Sequence, residues 1–226
     1  MSYLVSDLKN DVSRKLHGTS LNKVEGVDDL IDEASRQVLA DIDPKNTIRI
    51  EEISSPTLLY GTYRYTAPTD LKGDKIIDIR ALALRDSDDT YTKRGMEHFD
   101  RNKSYGTFNV EYDSGTKSIC LPEATVDKLG STVELTVELV YYSSYMYRTS
   151  TGTWKENADD DDDLINLETD SYNLMVYKTA ELASDQISGK DAGFDYSIYS
   201  KKYEEGLKKY TSNYPSENIK PQFRYY

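Results

Sequence analysis

The sequence predicts an α+β protein in which terminal helices pack together and an antiparallel β-sheet block is inserted between them. Apolar residues recur at spacings of three and four near the start of the chain and again from about residue 169, the period of amphipathic helices. Between these regions the period falls to two, as in half-buried strands. The chain divides into a helical pair over 1–45, a β-rich block over 46–142, an acidic loop over 143–168, a second helical pair over 169–212 and an extended tail over 213–226. It has 226 residues, enough to bury a substantial core without disulfide staples.

The first helix is carried by Leu4, Val5, Leu8, Val12 and Leu16, with Gly18 as its stop. The second runs through VDDLIDEASRQVLADID. Val27, Leu30, Ile31, Ala34, Val38 and Leu39 form its apolar face, Asp28 and Asp29 suit its positive N-terminal end, and Pro44 closes it. The two short helices suggest a helical hairpin. TIRIEEI, YGTYRYTAP and IIDIRALALR then read as strands, with PTDLKGD as a turn-rich corner. DSDDTYTKRGMEHFDRNKSYG is polar and without period, so it reads as loop. FNVEYDSGTKSICLP is a hairpin turning on Asp113, Ser114 and Gly115. In STVELTVELVYY, Val133, Leu135, Val137 and Leu139 face one way and Glu134, Thr136 and Glu138 the other.

Beyond that strand the chain loosens into SSYMYRTSTGTWKENADDDDD. Helix returns in LETDSYNLMVYKTAELASDQIS, where Tyr172, Met175, Val176, Thr179, Leu182 and Ala183 share a face, Thr169 is a candidate cap, and Gly189 and Gly193 break the pattern. A last helix, DYSIYSKKYEEGLKKY, aligns Tyr196, Tyr199, Tyr203, Leu207 and Tyr210. TSNYPSENIKPQFRYY has two prolines and no helical or strand period, so it reads as an extended tail.

Composition narrows the function. Lys+Arg 28 against Asp+Glu 40 gives a formal charge of -12, which repels phosphate and argues against sequence-specific nucleic-acid binding, though not against a surface past which DNA slides. Cys120, the single cysteine, rules out an internal disulfide and fits a reducing compartment. The opening residues do not read as a signal peptide, and no stretch approaches a transmembrane span. Tyr 20 against Phe 4 and Trp 1 is an unusual balance. Tyrosine suits half-buried positions and interfaces, and it also favours strands; both explanations stand.

Residues that carry chemistry are few. His17 and His98 have no metal-ligand neighbours at the usual spacing, and no nucleophile elbow, phosphate loop or zinc-protease motif occurs. Cys120 lies in a strand, where cysteine is usually a small buried hydrophobe. Asp159, Asp160, Asp161, Asp162 and Asp163 form the sharpest local feature. A calcium loop needs alternating acids on a glycine turn, which this run lacks, so it reads as an exposed, solvated loop kept open by self-repulsion. The expectation is a non-catalytic assembly protein without a cofactor. Tyr214, Phe223, Arg224, Tyr225 and Tyr226 are candidate interface anchors on the tail, since aromatics and arginine dominate interface energetics.

The order of ADIDP after a helix pair, then YTAPTDL, EYDSGTKSICL and TVELVYY, then an acidic loop, DSYNLMVYKTAELASDQISG and YSKKYEEGLKKY, spans most of the chain. In that order the chain resembles the head-to-tail adaptor (connector) proteins of tailed bacteriophages, especially the tail-tube adaptors of short-tailed phages. The resemblance implies a virion protein, assembled in the host cytoplasm, that forms a dodecameric ring beneath the portal and above tail or nozzle proteins. DNA would cross it only as non-specific cargo; if the acidic run also faces the channel, its role would be to hold phosphates away. Two other classes compete with it: a ligand- or carbohydrate-binding β module with tyrosines and Trp154 as stacking platforms, and a hydrolase using Glu134 and Glu138. Alternating acids on a strand are normally its solvent side, which weighs against the hydrolase.

Overall fold

A computed structural model describes residues 3–16, 21, 24–82, 111–122, 136–188 and 197–214. His17, Gly18, His98, Val133, Glu134, Leu135, Gly189, Gly193, Tyr196 and the segment 215–226 lie outside the described residues. The protein is α+β, with helices towards both ends of the chain and three antiparallel sheets. It divides into two compact units, one built from the chain up to Thr47 and again from Ser144, the other from Ile48–Ser143.

The first unit holds α1 (Val5–Lys15), α2 (Val27–Asp41), α3 (Thr169–Ser188) and α4 (Ser197–Asn213). α3 packs against each of the other three, so the helices from the two regions of the chain form one body around it. Its sequence explains its place. Tyr172, Leu174, Met175, Val176, Ala180, Ala183 and Ile187 are all buried, which covers most of the helix circumference. Its buried hydroxyls are satisfied locally: Thr179 Oγ1 donates to Met175 O at 2.9 Å and Ser184 Oγ to Glu181 O at 2.8 Å. Alanine and serine there let a neighbour approach closely. Where α4 crosses, a Cβ added at Gly206 would sit 2.8 Å from Leu174 Cδ2, so the Leu174 side chain would have to shift. Thr169, read as a cap, is instead the first helical residue, and its hydroxyl accepts from Tyr3 OH at 3.0 Å.

Tyrosine hydroxyls tie these helices at defined points. Tyr172 OH donates to Asp11 Oδ2 of α1 at 2.9 Å, Tyr199 OH to Lys15 O at the end of α1 at 2.6 Å, and Tyr203 OH to Asp41 Oδ2 at the end of α2 at 2.7 Å. Burial, and then the neighbouring carboxylates, push the Tyr172 and Tyr203 phenols well above their ordinary range, so both remain donors across the physiological range. The Tyr3 ring stacks on Tyr172 with centroids 3.7 Å apart. Tyr199, Tyr203 and Tyr210 all face the core, in agreement with the helical face read from the sequence.

The stretch that reads as loose, 143–168, is a correction. It carries β9 (Tyr147–Arg148), β10 (Trp154–Lys155) and β11 (Leu164–Ile165), which join β1 (Tyr3–Leu4) in the sheet order β1-β11-β9-β10. Met146, Tyr147, Ile165 and Leu167 enter the helical core, so this segment is anchored by apolar burial. The tail boundary also moves. Asn213 closes α4, and Tyr214 packs on the core, with its ring 4.8 Å from Tyr210 and the Lys45 ammonium 5.4 Å from it.

Among the described residues the second unit is all β. β2 (Ile48–Ile53), β8 (Thr136–Ser143) and β5 (Leu71–Leu82) form one sheet with β8 central. β3 (Thr57–Leu59), β4 (Thr62–Thr66), β7 (Ser118–Pro122) and β6 (Glu111–Asp113) form the other, in that order. Val137, Leu139 and Tyr141 of β8 pack with Tyr65, Ile119 and Leu121 in a shared core. The β6–β7 hairpin turns where the sequence places it, and Asp113 Oδ1 accepts the Gly115 N–H at 3.0 Å. PTDLKGD is less of a corner than it reads. β5 already begins at Leu71 and carries register shifts between Leu71 and Asp78, with Gly73 at φ +57° where L residues are disfavoured. YGTYRYTAP is not one strand: Tyr60 (φ 50°) and Gly61 (φ 71°) form the turn between β3 and β4.

Two substitutions test this account of the helical unit. Tyr203→Phe removes the bond to Asp41 and leaves the ring, and should cost about 1–2 kcal/mol. Gly206→Val should cost about 1–3 kcal/mol by forcing Leu174 out of place. Thermal melting measures both: a drop of about 2–4 °C per kcal/mol is expected for a chain of this size. Unchanged melting in both would refute the idea that these contacts set the helix packing.

Candidate functional site

The acidic run sits between β10 and β11, and the fold organises it rather than leaving it to self-repulsion. Asp159, Asp160, Asp161 and Asp162 are exposed, as the sequence reading has them, but Asp163 is only 3% exposed. The correction has a physical cause. Asp163 Oδ2 accepts the Lys155 ammonium at 2.6 Å and the N–H groups of Asp159 and Asp160 at 3.0 and 3.1 Å. This folds the run back on itself, and Asp163 N–H closes the turn onto Asp160 O at 3.0 Å. Burial alone would raise the Asp163 carboxyl. The Lys155 bond and the two backbone donors outweigh it and hold the group below its usual range.

The loop also finishes α1. Leu4, at the N-cap, has no side-chain acceptor for the free N–H groups of the first turn. Asp163 O accepts from Val5 N and Asp161 O from Ser6 N, both at 3.0 Å. Asp7 Oδ2 reaches back to the Leu4 N–H at 3.1 Å. Lys9 then bridges Asp161 Oδ1 at 2.6 Å and Asp28 Oδ1 at 2.7 Å, linking α1, the loop and the start of α2. A second link is the Ala158 N–H, which donates to Asp32 Oδ1 at 2.9 Å. Burial opposes the charges of Lys9 and Lys155, but their carboxylate partners prevail and raise both ammonium groups. Asp32 moves the other way for a carboxyl: burial first, then Asp159 and Asp28 nearby, raise it. The result is a fixed anionic surface in which the carbonyls cap a helix and the outermost carboxylates face solvent.

A second polar cluster, in the β unit, was missed by sequence reasoning. Asp70 is 3% exposed and accepts from Tyr141 OH at 2.9 Å, Ser143 Oγ at 2.5 Å and Arg49 Nη1. It joins the start of β5 to β2 and β8. The signal lies in YTAPTDL, an acid just after a Pro-Thr turn and next to an apolar strand, but its partners are remote in sequence. Tyr141 OH also lies 3.0 Å from Glu51 Oε2, and burial followed by these two carboxylates raises the phenol well above its ordinary range. Every member of the cluster is engaged with another, which is the pattern of a structural lock rather than a poised nucleophile.

The remaining expected residues are placed as follows. Tyr214 lies against the helical core, while Phe223, Arg224, Tyr225 and Tyr226 fall outside the described residues. Cys120 is buried in β7. Trp154, the candidate stacking platform, has the Arg148 guanidinium 5.2 Å from its ring centre. Glu138 is half-buried on β8 and registers with Glu52, while Glu134 lies outside the described residues. Among the described residues no group of three or more His, Cys, Asp or Glu is placed to hold a metal ion.

The loop predicts a pH response whose sign follows from these shifts. Asp163 is lowered, so its contribution is present in full above the ordinary carboxylate value of about 3.9 and is lost as pH falls through its folded value. Lys9 and Lys155 are raised, so theirs is complete below about 10.4 and is lost as pH rises through their folded values. Asp32, raised, works against stability at neutral pH and relents on acidification. Asp163→Ala leaves two N–H groups without their acceptor and Lys155 with Asp159 alone, and should cost about 2–3 kcal/mol, while flattening the acid limb of a melting-versus-pH curve. Replacing Asp159–Asp162 together by asparagine should change melting far less, since exposed pairs contribute about 0–1 kcal/mol each. Equal effects of the two changes would contradict the placement of Asp163.

No protein-family description matches the chain, and no curated protein matches its sequence.

Proposed function

We propose that the protein is a virion structural protein that forms a ring adaptor between portal and tail, through which DNA passes without being gripped. The observation that carries this reading is the union of helices from both regions of the chain around α3, with the β unit inserted between Thr47 and Ser144. That element order is the one on which the resemblance to head-to-tail adaptors rests. The chemistry supports it: the polar clusters of both units are consumed in holding the fold, as at Asp70 and Asp163. What remains on the loop is a set of exposed carboxylates, Asp159–Asp162, on a chain of net charge -12. Repeated round a ring and turned to the channel, such a surface would repel DNA phosphates and let the duplex slide.

A ring needs two unlike faces on each subunit that close by rotation, and the partners in this reading are further copies, the portal and tail or nozzle proteins. Native mass measurement of the protein alone and with its cognate portal, followed by negative-stain imaging, tests it. A closed ring, of twelve copies if the family pattern holds, is the expected result. A strict monomer that ignores the portal overturns the proposal. The channel role is tested separately with Asp159–Asp162 changed to asparagine, which spares the buried Asp163. Assembly should persist while DNA packaging or ejection slows; normal packaging and ejection would remove the channel role and leave the ring.

A further inference from the structure

α1 and α2 run the same way through the helical unit. Both begin at the acidic loop: Val5 and Ser6 donate to it, Lys9 bridges its Asp161 to Asp28 in the first turn of α2, and Asp32 of α2 accepts from Ala158. Both finish at α4: Tyr199 OH donates to Lys15 O at the last residue of α1, and Tyr203 OH to Asp41 at the last residue of α2. With 11 and 15 residues, the two helices are about 16 and 22 Å long, so the two ends of the unit are well separated.

At the α4 end, positive groups converge. Lys15 Nζ of α1 lies 5.3 Å and Lys202 Nζ of α4 5.8 Å from the ring centre of Tyr177 on α3. Both lysines are exposed, and neither has a carboxylate partner among the described residues. Asp11, one turn before Lys15, is taken up by Arg14 and Tyr172 OH, and Glu181, one turn after Tyr177, by Lys178. Three helices thus bring two uncompensated ammonium groups to one ring, whose hydroxyl also has no hydrogen-bond partner among the described residues. Like charges held there repel, and an anion between them would relieve this.

At the opposite end, Asp29 and Glu33 stand four residues apart on α2, the spacing that puts them on one face. Both are exposed, and neither meets a cation among the described residues; Glu33 accepts a neutral amide N–H from Gln37 at 3.0 Å. They lie outside the run Asp159–Asp162, so the asparagine variant of that run leaves them in place.

We propose that Asp29 and Glu33 of one copy dock on the Lys15–Tyr177–Lys202 cradle of the next copy, so that helical units associate end to end. This rests on the ring reading and gives its subunits a polarity. The two surfaces are unlike and lie at opposite ends of one unit, so a copy cannot satisfy itself, and repetition with a fixed rotation closes a ring. Charge names the occupant. A chain of net charge -12 repels its own copies in most orientations, and this cradle is a place where another copy's carboxylates are attracted instead. Single exposed ion pairs add little affinity, so the contact sets orientation and encounter rate, and its repetition round a closed ring holds the assembly.

Two reversals test the contact in the full chain, with the cognate portal present if the chain alone does not assemble. Lys15→Glu with Lys202→Glu makes both surfaces acidic, and Asp29→Lys with Glu33→Lys makes both basic. All four positions are exposed, and each variant should melt like the parent. Each is expected to lose assembly at least tenfold by native mass and light scattering. An equal mixture should recover it, because every cradle can then meet a stripe of opposite charge on the other variant. Assembly unaffected by either reversal, or a mixture of folded variants that stays apart, overturns the contact. Should a variant misfold, carbodiimide coupling of the parent chain decides. Mixed light and heavy isotope-labelled copies should yield an amide between Lys15 or Lys202 of one and Asp29 or Glu33 of the other; its absence from assembled protein overturns the proposal. Ring mass is read separately. A ring indifferent to the reversals removes this contact and keeps the ring, whereas a monomer with and without portal removes both.

Discussion

The helical unit depends on one constraint: a buried phenol must find a partner for its hydroxyl. Tyr172, Tyr199 and Tyr203 bring large rings into the core, where they contribute apolar burial, but an unmatched O–H there would be costly. Each therefore stands where a carboxylate or a helix-end carbonyl waits, at Asp11, Lys15 and Asp41. A phenylalanine core would tolerate small rotations of α3 or α4. A tyrosine core does not, because rotation would break a bond at each of these points. At these three positions the choice of tyrosine over phenylalanine thus fixes helix register.

Electrostatics follows the same logic in the loop. Five adjacent aspartates would separate in water, yet here the positive end of α1, the ammonium groups of Lys9 and Lys155 and a set of backbone donors gather them. The helix gains the cap its own sequence lacks, and Asp159, Asp161 and Asp163 gain lysine partners. The lysines sit with side chains only 27% and 17% exposed, so these contacts are less screened by solvent than ordinary surface pairs.

Local codes were legible in the sequence and remote ones were not. The four helices, the central strand β8 and the Asp113 hairpin follow from periods and turn residues contained within a few positions, and the α+β class follows from them. The turn at Tyr60 was hidden because tyrosine is not a residue that announces a left-handed backbone. β1, β9, β10 and β11 have two residues each, too few to show any period. Asp163 looked like a member of a solvated run because the lysine and the turn that bury it are matters of geometry. Asp70 had only its place after the Pro-Thr turn to mark it, since Arg49, Tyr141 and Ser143 reach it from distant parts of the chain.

The two units differ in how they are threaded, and this bears on synthesis. Among the described residues the β unit lies within one stretch, Ile48–Ser143, whereas the helical unit is interrupted by it. As the chain leaves the ribosome, α1 and α2 emerge early without α3 to pack on and without the loop carbonyls that complete α1. The β strands can pair among themselves as soon as β8 appears. Folding in order of emergence therefore starts in the β unit, and α1 and α2, made before it, reach their final surroundings only once α3 and the loop appear. The long wait of those apolar faces is the vulnerable interval in the life of this chain, and the high charge of the sequence around them helps to keep them apart from other chains during it.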